Sequence, residues 1–105
     1  MVNDSGIRLD LNNPIFQDTL FSLRKAERLA MLDTLRKIKQ STWAQLYVDK
    51  GIHWEKITSI KPPAGISALY SLRISKSCRA TAVRDGDTLR FLTIYSDHDA
   101  TYGKK

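Results

Sequence analysis

Apolar and polar residues alternate over Ile7-Arg8-Leu9-Asp10-Leu11, the period of a half-buried strand. Asn12-Asn13-Pro14 interrupts it, and Asn13 as an N-cap with Pro14 at the first helical position opens a helix over residues 14–23. That helix is expected to turn Ile15, Phe16, Leu20 and Leu23 inward. A second helix is predicted over residues 24–40, where Leu29, Leu32, Leu35 and Ile38 recur every three positions. Arg28 and Lys39 share the sector of Leu32, so this helix has a basic flank whose stems must snorkel outward. Ser41 or Thr42 caps a short third helix through Val48, which ends near Asp49-Lys50-Gly51. Residues 52–57 can be extended, and Lys61-Pro62-Pro63-Ala64-Gly65 is loop chemistry.

The last third reads as three antiparallel strands. Residues 68–74 alternate, with Tyr70, Leu72 and Ile74 on one face and Leu69, Ser71 and Arg73 on the other. Residues 79–84 follow a short turn, Asp85-Gly86-Asp87 marks a hairpin, and residues 89–95 close the set before a polar tail, 96–105. Register decides which side chains face solvent, because a one-residue slip inverts a strand. A three-residue hairpin loop puts Ala80 and Ala82 under the helices with Leu92 and Ile94. Arg79, Thr81, Phe91, Thr93 and Tyr95 then lie on the opposite face, joined by Arg73 if the preceding turn is also odd. A two-residue loop would turn Arg79 toward the core, where an unpaired guanidinium is costly. The three-residue register is therefore expected. One strand, two helices and then a meander, with the helices on one face, is an α+β layer architecture within a single domain of residues 1–105.

Composition sharpens this picture at three points. Lys and Arg number 17 against 11 Asp and Glu, a net charge of +6 that favours a polyanionic partner. The charge is uneven: residues 1–23 sum to −2, residues 24–61 to +5 and residues 62–105 to +3. The single cysteine, Cys78, excludes an internal disulfide and reads as a half-buried strand-end thiol. No apolar run approaches the roughly 18 residues of a spanning helix, and no segment has signal-peptide character. A soluble, cytoplasmic protein with no membrane partner is expected.

Leu69-Tyr70-Ser71-Leu72-Arg73-Ile74, then Cys78-Arg79-Ala80, an Asp-Gly hairpin, a final strand, and Asp97-His98-Asp99-Ala100-Thr101-Tyr102 together resemble the RelE/ParE toxin superfamily. Thr42-Trp43-Ala44-Gln45-Leu46-Tyr47 with Gly51-Ile52-His53-Trp54-Glu55 is similar to a HigB-like subgroup. The resemblance implies a RelE-like α+β fold and the toxin of a type II toxin–antitoxin pair. It implies a cognate acidic antitoxin and, in the RelE-like branch, cleavage of mRNA on the ribosome. The ParE-like branch instead poisons DNA gyrase without catalysis. Cys78 stands where the family often has Tyr or His, which removes a stacking contact.

Metal-independent RNA cleavage needs a base for the ribose 2′-hydroxyl, an acid for the departing 5′-oxygen, and cations for the phosphorane. His98, between Asp97 and Asp99, is the acid/base candidate, since imidazole titrates near neutrality. Arg79 and then Arg73 are the phosphate clamps, their planar forks matching phosphate oxygens. Tyr102 can stack on a base or donate a hydrogen bond. Lys76, Lys104 and Lys105 can meet RNA backbone; His53 can reach the same face, and Glu55 can serve as a second acid/base. Each also has a plain reading, as a solvated tail, an exposed strand arginine or a packed ring. The histidines and the cysteine match no metal-ligand spacing, and no Gly-rich phosphate loop is present, so no metal or cofactor is expected. The alternatives are a ParE-like gyrase poison and a non-catalytic basic binding module.

Overall fold

The computed structural model describes residues 6–59, 61, 62, 64–66 and 68–96. In chain order the elements are β1 (Arg8–Asp10), α1 (Pro14–Ser22), α2 (Lys25–Lys39), α3 (Trp43–Val48), β2 (Glu55–Ile57), β3 (Leu69–Ser75), β4 (Cys78–Asp85) and β5 (Thr88–Ser96). The strands form one sheet in the order β1-β5-β4-β3-β2. β1 joins the edge parallel to β5, and the remaining pairs are antiparallel.

The helix starts follow from local chemistry. The Asn13 side chain accepts from the Ile15 and Phe16 N–H groups, with Pro14 inside the first turn. Thr42 caps α3 through a reciprocal capping box with Gln45. The helices cover one face of the sheet. Phe16 of α1 meets Phe91 at 5.4 Å between ring centroids. Met31, Leu35 and Ile38 of α2 join Leu72, Ile74, Ala80, Ala82 and Ile94 in the same core. Alanines at 80 and 82 leave room for the helices to approach.

Two expectations about inward residues are corrected. Ile15 is exposed in α1, and Leu29 and Leu32 are exposed in α2. The buried stripe of α2 is Glu27, Met31, Leu35 and Ile38. Spacing by four fits the helical period better than spacing by three, so the stripe through Met31 wins the core.

The hairpin register also differs from expectation. Asp85 and Thr88 close β4–β5 around a two-residue turn, with Gly86 at φ 61°, the left-handed conformation a primed hairpin turn needs. An extra residue, Leu92, then bulges from β5 between the pairs Ala82↔Phe91 and Thr81↔Thr93. Phe91 therefore lies in the core, not on the open face. Beyond the bulge Ala80 opposes Ile94 and Arg79 opposes Tyr95, the expected faces. β3–β4 repeats the device. Ser75 and Cys78 close another even turn, and a register shift at Ile74 lets Arg73 oppose Arg79. In each hairpin one bulged residue restores the parity that an even turn would have reversed.

Candidate functional site

The sheet face opposite the helices carries two rows of facing residues at one end. The outer row runs Arg73, Arg79, Tyr95; the next runs Glu55, Ser71, Thr81, Thr93. Directly opposed residues on neighbouring strands sit about 5 Å apart at Cα, so both rows form one continuous surface. Glu55, Ile57, Ser71, Arg79, Thr81 and Tyr95 line a groove there of about 370 Å³. Lys76 is exposed in the β3–β4 turn at the same end.

The electrostatics of this face are uneven. Arg90, at its other end, donates to Asp10 at 3.1 Å and to Asp85 at 3.3 Å. The Asn12 N–H and the Arg90 guanidinium hold the Asp10 carboxyl below its ordinary value. Arg73 and Arg79 are exposed, directly opposed, and have no ion-pair or side-chain hydrogen-bond partner among the described residues. Two like charges across a strand pair repel, and no ion pair among the described residues offsets them. Such a pair suits a ligand that brings its own negative charge, and two guanidinium forks match the oxygens of a phosphodiester.

His53 borders the same end. It takes a left-handed backbone, φ 52°, a region in which His is enriched. Its N–H donates to Asp49 O at 2.9 Å, and the Ile52 N–H donates to Asp49 Oδ1 at 2.9 Å. The Arg73 N–H donates to Ile52 O at 2.6 Å, which joins this turn to β3 beside the arginine pair. The His53 Nε2 lies 3.4 Å from Glu55 Oε1, and Glu55 lines the groove. Asp49 in turn meets Lys37 Nζ of α2 at 2.9 Å. The Lys37 ammonium, and then the Ile52 N–H, hold the Asp49 carboxyl below its ordinary value.

This end of the sheet is braced from behind. Glu27 of α2 is buried, and its Oε2 accepts from Ser77 Oγ at 3.1 Å and from Ser96 Oγ at 3.4 Å. One carboxylate thus ties α2 to the β3–β4 turn and to the last residue of β5. Cys78 is fully buried, more so than a half-buried strand-end thiol. At the far end Arg84 lies over the Trp43 ring at 3.9 Å and donates to the Tyr47 hydroxyl. Trp54 stacks on Tyr70 in the same cluster.

The structure gathers four of the residues expected from sequence, Arg73, Arg79, Lys76 and His53, at one end of the uncovered face. His98, Tyr102, Lys104 and Lys105 lie outside the described residues. Sequence reasoning missed Asp49, whose Asp-Lys-Gly context reads as a helix stop. Its role in shaping the His53 turn arises only when α2 and β3 are folded around it. Among the described residues no three His, Cys, Asp or Glu side chains gather as a metal site. No helix among them is long and apolar enough to cross a membrane.

Comparison with known proteins bears on the fold. No family model matches the chain, and no curated protein matches it. Solved structures that share its architecture include two at low sequence identity. One is an archaeal RelE–RelB complex from Pyrococcus horikoshii OT3, with a TM-score of 0.60, 14% identity, and coverage of 90% of this chain and 97% of that one. The other is a copper-bound mutant toxin from Helicobacter pylori, with a TM-score of 0.53, 16% identity, and coverage of 89% and 97%. The chain has the RelE-like toxin fold.

Proposed function

We propose that this protein is the toxin of a type II toxin–antitoxin pair, a cytoplasmic endoribonuclease that cleaves mRNA on the ribosome. One observation carries the reading: the directly opposed Arg73 and Arg79, without an ion-pair partner among the described residues, beside a groove on the uncovered sheet face. The fold shared with RelE supports it, as does the antitoxin named in that complex. The segments around Trp43 and His53 favour the HigB-like subgroup.

In the proposed reaction a base removes the 2′-hydroxyl proton and the oxygen attacks the adjacent phosphorus. The P–O5′ bond breaks, and an acid protonates the leaving oxygen, giving a 2′,3′-cyclic phosphate and a 5′-hydroxyl. Arg73 and Arg79 bind the non-bridging oxygens, whose negative charge grows in the transition state. His98 from the tail and His53, with Glu55 at 3.4 Å, supply the proton transfers. Tyr95, beside Arg79, offers a ring on which a base can stack. Lys76, Lys104, Lys105 and Tyr102 extend the RNA contact.

The test is primer extension on a defined mRNA, with purified protein, programmed ribosomes and a chelator present. Breaks confined to the A-site codon, absent with Arg73→Ala plus Arg79→Ala, are the expected result. Intact mRNA together with accumulated gyrase–DNA cleavage complexes would overturn the proposal in favour of the ParE-like reading.

A further inference from the structure

The end of the sheet away from Arg73 and Arg79 holds a second pocket. Its volume is about 570 Å³, and Tyr47, Tyr70, Arg84, Asp85, Gly86 and Arg90 contribute to its lining. That volume lies within the roughly 300–1,000 Å³ of small-molecule sites. Arg84 follows Arg79 by five positions along β4, about 17 Å of strand. It also falls on the other face of that strand, with Ala80 and Ala82, and meets Trp43 of α3 there. The pocket and the arginine pair are therefore separate places.

Arg84 sets the chemistry of this pocket. It is exposed, yet its guanidinium is held in one place over the Trp43 ring at 3.9 Å, with Nη1 donating to the Tyr47 hydroxyl and Nε donating to Gly86 O at 2.9 Å. Its remaining N–H groups stay available. Among the described residues no carboxylate pairs with it, whereas Arg90 in the same pocket meets Asp85 and Asp10. A fixed cation with spare donors has already met the ordering cost that binding an anion would impose. The Tyr47 oxygen accepts from Arg84, so its own proton is free to donate. Tyr70, stacked on Trp54 at 4.4 Å, adds a braced aromatic surface. A cationic ligand would be repelled by Arg84. An apolar one would strip water from guanidinium and phenol groups. A simple carboxylate would leave the aromatic surface unused. A phosphate joined to a flat ring satisfies both features.

We infer that this pocket binds a nucleotide, its phosphate on the spare Arg84 N–H groups and the Tyr47 hydroxyl, and its base against Tyr70. The same chemistry is offered by a free mononucleotide and by one nucleotide of an RNA strand. The inference stands whether or not the protein cleaves RNA, because the pocket shares no residue with the groove beside Arg73 and Arg79.

The test is an amide NMR titration of the isotope-labelled full chain with adenosine 5′-monophosphate, adenosine and inorganic phosphate in turn. The mononucleotide is expected to saturate with a Kd below about 1 mM and to shift the Tyr47 and Gly86 amides. Adenosine and inorganic phosphate should each bind at least about tenfold more weakly, since each offers half of the contacts. Arg84→Gln should weaken the mononucleotide by about tenfold, and Tyr47→Phe, which keeps the ring and is the milder change, by about threefold. Arg73→Ala plus Arg79→Ala should leave these shifts and their Kd unchanged. In that double-variant background, a short oligoribonucleotide that displaces the mononucleotide assigns the pocket to an RNA strand. Failure to displace it assigns the pocket to the free nucleotide, and either source upholds the inference. No saturable shift at Tyr47 and Gly86, or affinity indifferent to Arg84→Gln and Tyr47→Phe, overturns it. So does inorganic phosphate or a glutamate peptide that binds as tightly as the mononucleotide, which makes the pocket a general anion site.

Discussion

Arg73 and Arg79 oppose each other on adjacent strands with no ion pair among the described residues, while Arg90 on the same face has two. Removing either member of the pair relieves repulsion and breaks no described contact. Arg79→Ala and Arg73→Ala should therefore leave the melting temperature unchanged or slightly raised. Each should weaken binding to a short oligoribonucleotide by about tenfold, the scale of a charge-assisted phosphate contact. A melting temperature lowered by many degrees would show instead that the pair is structural. Asp49 offers the contrary case. It meets Lys37 and the Ile52 N–H, so Asp49→Ala should cost roughly 1–2 kcal/mol at neutral pH. Its folded pKa lies below its unfolded value, which is about 3.9. The contribution is complete above that value and fades as pH falls through the folded pKa. Urea titrations of parent and variant should therefore converge in strongly acidic buffer; a constant difference would refute the linkage. The arginines were legible in the sequence, because residue type and strand alternation suffice to find them. The His53 turn was not, since its left-handed backbone depends on Asp49, α2 and β3 meeting in three dimensions.

The elements show why parity was the hardest feature to read. Strand positions, the Asn13 and Thr42 caps and the Asp-Gly hairpin follow from local residue chemistry, and each was legible. A bulge has no comparable signature, since Ile74 and Leu92 are ordinary strand residues whose extra status appears only when neighbours pair. The outcome for Arg79 was still reached by argument, because burying an unpaired guanidinium costs more than a bulge. Deletion of Leu92 tests this. Without the extra residue, continuous pairing from Asp85↔Thr88 brings Thr93 opposite Thr81, Ile94 opposite Ala80 and Tyr95 opposite Arg79, the same faces that the bulge provides. The deletion should therefore retain cooperative thermal unfolding, as should Leu92→Ala, which keeps the bulge. A deletion variant that loses cooperative unfolding would mean that the bulge does more than set parity. In α2 the apolar repeat served two surfaces at once, and sequence alone could not separate them. Met31→Ala should cost about 2–4 kcal/mol through the cavity it leaves, and Leu29→Ser less than about 0.5 kcal/mol.

At the scale of the whole molecule, the fold converts an uneven linear charge distribution into two surfaces of different character. Positive residues of the middle third lie largely on α2, where Lys25 and Arg28 line an apolar groove. Those of the last third include the opposed arginines on the uncovered sheet face. A net charge of +6 alone would attract any polyanion and cannot distinguish a site from a diffuse field. The salt dependence of RNA binding can. Each phosphate neutralised on a single strand contributes about −0.7 to the slope of log K against log salt concentration. If Arg73, Arg79 and Lys76 each engage one phosphate, the slope for a short oligoribonucleotide should be near about −2. Arg73→Ala plus Arg79→Ala should reduce its magnitude by about 1.4, because two defined contacts disappear. Lys25→Glu plus Arg36→Glu changes net charge by four units yet should alter the slope by much less, because those residues lie beyond the sheet and act through a screened field. Equal effects from the two variants would mean that RNA reads total charge, and the opposed arginines would then lose their claim to be a site.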